Sequence, residues 1–211
     1  MTAPACLSEI VPVASSDERR KGKVRFSLHP GQSKAWASVK RFILVLAGTQ
    51  SGKTSFGPLW MHREIQARGP GDYIVVTPTY PLLMKKALPE FLRLFDTRLK
   101  LGTYQSQLKI FTFSPEGSAR TFGTVDHDTP TQIFFGHAQD PDALESATAK
   151  AAWLDECGQD QFRLGSWEAV QRRLALHQGR VLGTTTPYNL GWIKSQIYDR
   201  ARAGDPNYLV V

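Results

Sequence analysis

Phe42-Ile43-Leu44-Val45-Leu46-Ala47-Gly48-Thr49-Gln50-Ser51-Gly52-Lys53-Thr54 decides how the rest of the chain is read. Five strand-forming apolar residues run into a loop of small ones, and a helical pattern follows over residues 53–68. Strand, loop and helix closed by Gly-Lys-Thr form the setting in which a phosphate-binding loop is credible. Small side chains let the backbone curl so that successive N–H groups face an anion, and the positive end of the helix points at the same place. Gly48, Thr49, Gln50, Ser51 and Gly52 are expected to line the phosphates of ATP. Lys53 would neutralise the β- and γ-phosphates and the Thr54 hydroxyl would ligate Mg²⁺. Two positions depart from the strict pattern: Ala47 replaces the first glycine, and Gln50 stands where a further one is common. Pro58 removes the bond to the Thr54 carbonyl, which predicts a kink or a loosened second turn.

Outward from this loop, strand-like and helix-like stretches alternate. The strand-like ones are Arg41–Ala47, Tyr73–Thr77, Gln107–Phe113, Arg120–Val125, Gln132–Gly136, Ala151–Asp155 and Arg180–Thr184. Helical periodicity marks Gln32–Lys40, Lys53–Arg68, Pro81–Arg98, Ser166–His177 and Trp192–Ala203. Such alternation predicts an α/β domain with a mainly parallel sheet flanked by helices, and the closely spaced runs between Gln107 and Gly136 predict a small antiparallel extension. Residues 1–24 lack periodicity and read as a flexible leader, leaving 25–211 as one domain.

Composition narrows the classes. The chain has 211 residues, 26 Lys+Arg against 19 Asp+Glu, and a net charge of +7. No apolar run approaches the roughly twenty residues of a membrane helix. Cys6 and Cys157 are too few for a disulfide framework, and neither they nor the five scattered histidines have metal-ligand spacing. Charge is segregated, however. Residues 137–160 hold six acids and one base, whereas residues 161–202 hold seven bases and two acids.

Within the acidic segment, Ala151-Ala152-Trp153-Leu154 ends in Asp155-Glu156. The carboxyl ends of parallel strands face the ligand crevice, so both acids are expected where the phosphate loop opens. Asp155 would hold Mg²⁺, and Glu156 would orient and polarise the water that attacks the γ-phosphate. A third strand ends in Thr184-Thr185-Thr186-Pro187, where the Thr185 and Thr186 hydroxyls are placed to sense the γ-phosphate and couple its loss to neighbouring elements. Upstream, Gln32 follows His29-Pro30-Gly31, and its amide can donate to and accept from adenine at once.

Taken in order, these pieces resemble the ATPase domain of the large terminase subunit of tailed bacteriophages, a P-loop NTPase of the RecA-like ASCE type. The resemblance runs over residues 28–195. It rests on Pro30-Gly31-Gln32, Ala47 to Thr54, Val76-Thr77-Pro78-Thr79 and Gly136-His137-Ala138-Gln139-Asp140-Pro141-Asp142-Ala143-Leu144. Asp155-Glu156, residues 167–175 and Gly183 to Pro187 complete it.

It implies ATP- and Mg²⁺-dependent hydrolysis coupled to translocation of double-stranded DNA into a procapsid. The partners implied are the portal protein, a small terminase subunit and further copies in a homo-oligomeric ring, in the host cytoplasm and without a membrane. The family often carries Arg-Gly about eleven residues before the catalytic glutamate, where this chain has Glu145-Ser146. Arg172 and Arg173 are therefore the candidate arginine fingers. The family's C-terminal nuclease domain has no counterpart in the carboxylates after Pro187, Asp199 and Asp205, so no DNA cleavage by this chain is expected. Two alternatives share the motifs: the first motor domain of a superfamily 2 helicase, and a DNA-binding module that holds nucleotide without hydrolysing it.

Overall fold

Continuous apolar strands require cover on both faces, and the chain supplies it. The computed structural model describes residues 9–12, 23–123, 130–140, 148–187, 189 and 191–211, with side chains from Phe26 onward. Ten strands occur among them, β1 (Glu9–Pro12), β2 (Lys23–Phe26), β3 (Phe42–Leu46), β4 (Asp72–Thr77), β5 (Gly102–Gln105), β6 (Ile110–Phe113), β7 (Gln132–His137), β8 (Ala151–Asp155), β9 (Arg180–Thr185) and β10 (Tyr208–Val210). Eight form one sheet in the order β10-β3-β9-β8-β4-β7-β6-β5. The first six of these run parallel, and β6 pairs antiparallel with both β7 and β5. A mainly parallel sheet with an antiparallel extension is therefore what the chain builds. Within the stretch expected to be a leader, β1 pairs in parallel with β2, so backbone pairing exists where composition predicts none.

Period-two alternation divides the core between the two faces. Ile43, Val45, Tyr73, Val75, Ala151 and Trp153 point to the face covered by helices α1 (Pro30–Ala37) and α2 (Lys53–Arg68) and a helical stretch over residues 80–98. Phe42, Leu44, Ile74, Val76, Ala152 and Leu154 point to the other face, under the helix Leu164–Leu174 and a helical stretch over residues 191–202. Gly57 marks how closely α2 approaches the sheet, since a Cβ there would lie 2.0 Å from the Trp153 indole. α2 runs without a break through Pro58, so the missing bond to the Thr54 carbonyl does not end the helix. No helix among the described residues is long and apolar enough to cross a membrane.

One predicted strand is a helix. Residues 120–122, read as the start of a strand, belong to the helix Pro115–Phe122; Ser114 caps it by accepting the Gly117 N–H, Pro115 opens it, and Gly123 closes it at φ 77°. Cap chemistry outweighs the short apolar alternation there. Its expected continuation to Val125 lies outside the described residues, as do Asp142, Glu145, Ser146 and the Asp-Pro stretch from Pro141 to Leu144. The strand predicted from Gln107 begins at Ile110, because residues 106–109 form the turn between β5 and β6.

At the end of the sheet where β9 begins, Arg180 ties three elements together. It pairs with Glu64 of α2 and donates to the Ser38 carbonyl at 2.7 Å and the Lys40 carbonyl at 3.0 Å. Arg68 reaches the same carboxylate at 3.1 Å, and the Glu64 side chain is 2% exposed. Removing one partner of so buried a pair strands the other charge. Glu64→Ala is expected to lower the unfolding free energy by about 3–5 kcal/mol in a urea titration, and a loss below about 1 kcal/mol would contradict the reading.

Candidate active site

The phosphate loop leaves β3 and takes two left-handed residues before α2 begins, Gln50 at φ 61° and Gly52 at φ 76°. Glycine takes that conformation without steric cost, which explains why one is common at the Gln50 position. Gly52 is the N-cap of α2, and no side chain caps the helix. Its first-turn N–H groups are thus left for an anion. Gly48, Thr49 and Gln50 are exposed, so the loop opens outward. Lys53 is the opposite, 5% exposed. Its ammonium lies back over the loop, donating to the Ala47 carbonyl at 2.8 Å and the Gly48 carbonyl at 2.7 Å.

The acidic pair arrives beside this loop because β9 alone separates β3 from β8. Asp155 Oδ2 accepts the Thr54 hydroxyl at 3.3 Å, and Oδ1 accepts the Thr184 hydroxyl at 2.8 Å. Thr184 in turn accepts the Trp153 indole N–H at 3.1 Å. Glu156, one residue past the strand, sits at φ 55°, a conformation that costs a non-glycine residue about 1–3 kcal/mol and collects at functional sites. Its Oε2 accepts the Thr186 backbone N–H at 3.3 Å. Cys157 is fully buried, and burial pushes its thiol far up, which suits packing rather than nucleophilic attack.

Of the residues read from sequence, Lys53, Thr54, Asp155, Glu156, Thr185 and Thr186 lie together at the carboxyl ends of β3, β8 and β9. Thr185 Oγ1 accepts the Gly158 N–H at 3.0 Å, and the Thr186 backbone N–H donates to Glu156. Thr184, given no role from the sequence, is the second hydroxyl on Asp155, at Oδ1. Strand register is what selects it, since Thr184 pairs with Asp155.

Gln32 lies against the loop itself, donating to the Gly52 carbonyl at 3.3 Å and the Ser51 carbonyl at 3.4 Å while its Oε1 accepts the His29 N–H. It borders a cavity of about 490 Å³ between the loop, Phe26–His29 and residues 90–98, a size suited to a small ligand. Arg172 and Arg173 lie elsewhere. The Arg173 carbonyl accepts the N–H of Ala149, just before β8 begins, so both arginines sit at the end of the sheet away from their own loop.

Oxygens suited to a hard cation meet at Thr54 and Asp155, and Mg²⁺ needs only one or two protein ligands when phosphates and waters supply the rest. Burial pushes the Asp155 carboxyl up to about 6, with the Thr184 bond pulling the other way. A carboxylate so raised makes the protein less stable when ionised. That cost is full above about 6 and vanishes below its unfolded value of 3.8. The gap corresponds to about 3 kcal/mol. Asp155→Asn is therefore expected to raise Tm at pH 7.5, without nucleotide, by up to about 6–12 °C and to give little gain at pH 4. An equal or lower Tm at pH 7.5 would contradict this.

No family model and no curated protein matches the sequence. Solved structures do. The ATPase domain of the large terminase of Thermus phage P74-26 superposes with a TM-score of 0.61 at 20% identity, over 81% of this chain and 69% of that one. The large terminase of another thermophilic bacteriophage gives 0.67 at 13% identity, over 86% of this chain and 44% of that one. Its complex with ATP-γ-S gives 0.66, also at 13%. The chain thus spans less than half the length of that second terminase. What these superpositions establish is the fold: the chain has the P-loop NTPase architecture of large terminase ATPase domains.

Proposed function

We propose that this chain is the ATP-hydrolysing motor unit of a phage large terminase, coupling hydrolysis to movement of double-stranded DNA into a procapsid. The observation that carries the reading is the Thr54–Asp155–Thr184 hydrogen-bond chain, which joins a phosphate loop, a buried acid and a neighbouring strand tip on a terminase-like fold. The first-turn N–H groups of α2 and Lys53 would hold the β- and γ-phosphates, Lys53 exchanging the carbonyls of Ala47 and Gly48 for phosphate oxygens. Thr54 and Asp155 are the residues that would hold Mg²⁺, which supplies charge neutralisation at the phosphates. Glu156 takes the proton of the attacking water, and the Thr186 N–H on its other side orients the carboxylate.

Coupling follows from who holds these acids. Asp155 and Glu156 are both bonded to β9 residues or to the residue just after them, so a change in either is passed directly to that strand. Arg172 and Arg173, at the far end of the sheet, suit a neighbour's nucleotide rather than their own, which makes a ring of copies part of the proposal. DNA, the portal protein and a small terminase subunit in the host cytoplasm are the setting it implies.

ATPase rates of the wild type, Lys53→Ala and Glu156→Gln, with and without duplex DNA and at concentrations that permit assembly, test it. Wild type is expected to exceed Glu156→Gln by about 100-fold or more. Lys53→Ala should lose nucleotide binding, whereas Glu156→Gln keeps it. A wild type no faster than Glu156→Gln would favour a module that binds nucleotide without hydrolysis, and duplex unwinding would favour a helicase.

A further inference from the structure

We infer that Arg93, held in place by Glu90, contacts the nucleoside half of the bound nucleotide. The inference rests on the reading of residues 47–54 as an ATP site and names a recognition residue for it on a different element.

Two of the walls of the cavity beside the loop bear on the nucleotide. One is the loop itself, through Gln50, Ser51 and Gly52; the other is the helical stretch over residues 80–98, through Glu90, Arg93 and Arg98. Thr54, Asp155 and Glu156 do not line it, so it opens away from the metal and γ-phosphate end. A nucleotide whose phosphates follow the loop therefore places its sugar and base here. The cavity's chemistry suits them: Phe26, Leu28 and Leu94 offer apolar surface to a base, Glu90 offers an acceptor to sugar hydroxyls, and Arg93 offers a planar cation.

An i,i+3 Glu–Arg pair on a helix is commonly just a solvated surface pair. This one is not confined to its own helix. Glu90 Oε2 takes both the Arg93 guanidinium and the Ser55 hydroxyl, the latter at 2.9 Å. Ser55 follows Thr54 in the first turn of α2, so the carboxylate bridges the helix that binds phosphate to the helix that carries Arg93. The guanidinium is thereby fixed at the mouth of the cavity, with its side chain still 55% exposed and available to a ligand.

Calorimetric titration of the whole chain with ADP and with inorganic pyrophosphate, both with Mg²⁺, tests this. Arg93→Ala is expected to weaken ADP about tenfold, leave pyrophosphate within about twofold and leave the unfolding midpoint unchanged. Arg93→Lys should recover part of the loss. Unchanged ADP affinity in Arg93→Ala, or an equal loss for both ligands, overturns the inference while the ATP site stands. If wild type binds neither ligand, or Lys53→Ala binds pyrophosphate as wild type does, the reading of the loop fails and the role of Arg93 with it.

Discussion

One threonine hydroxyl holds the centre of this molecule together. Thr184 Oγ1 accepts from the Trp153 indole and donates to Asp155, so a single buried atom satisfies the largest side chain of β8 and its terminal acid. Without it, Trp153 would keep a buried N–H unpaired and Asp155 would lose a bond that opposes the cost of its burial. Trp153 is also the surface on which Gly57 rests, so the packing of α2, and with it the angle at which the phosphate loop opens, depends on the same contact. The core and the candidate site are therefore joined through this one hydroxyl.

The charged groups around the loop are held by the protein itself. Lys53 rests on carbonyls of its own loop, Glu156 on a backbone N–H, and Glu90 on Ser55 and Arg93. Asp155 is the one that carries a clear penalty, since burial raises it and its two partners are neutral hydroxyls. A divalent cation at the Thr54–Asp155 oxygens would relieve that penalty, whereas phosphates would draw Lys53 off the loop carbonyls. Nucleotide and metal would thus exchange these internal contacts for charge-matched ones.

Much of this was legible in the sequence where burial on both sheet faces leaves unbroken apolar runs. β8 begins and ends at the expected residues, as does α2, and the loop between β3 and α2 lies where Gly-Lys-Thr places it. Peripheral elements were harder. β5, Gly-Thr-Tyr-Gln, buries none of its residues fully and carries little apolar signal, and β10 is an edge strand of three residues. The helix Pro115–Phe122 was legible through Ser114-Pro115-Glu116 and Gly123, but a short apolar alternation concealed it. Thr184 and Arg93 required the third dimension: one is selected by register across two strands, the other by the approach of two helices far apart in sequence.

The most direct test of the account is a crystal structure of the chain with ATP-γ-S and Mg²⁺. The account predicts that Lys53 Nζ leaves the Ala47 and Gly48 carbonyls for the phosphates, and that Thr54 and Asp155 face the metal. A nucleotide bound away from residues 47–54, or Lys53 still on its own loop with nucleotide present, would contradict it.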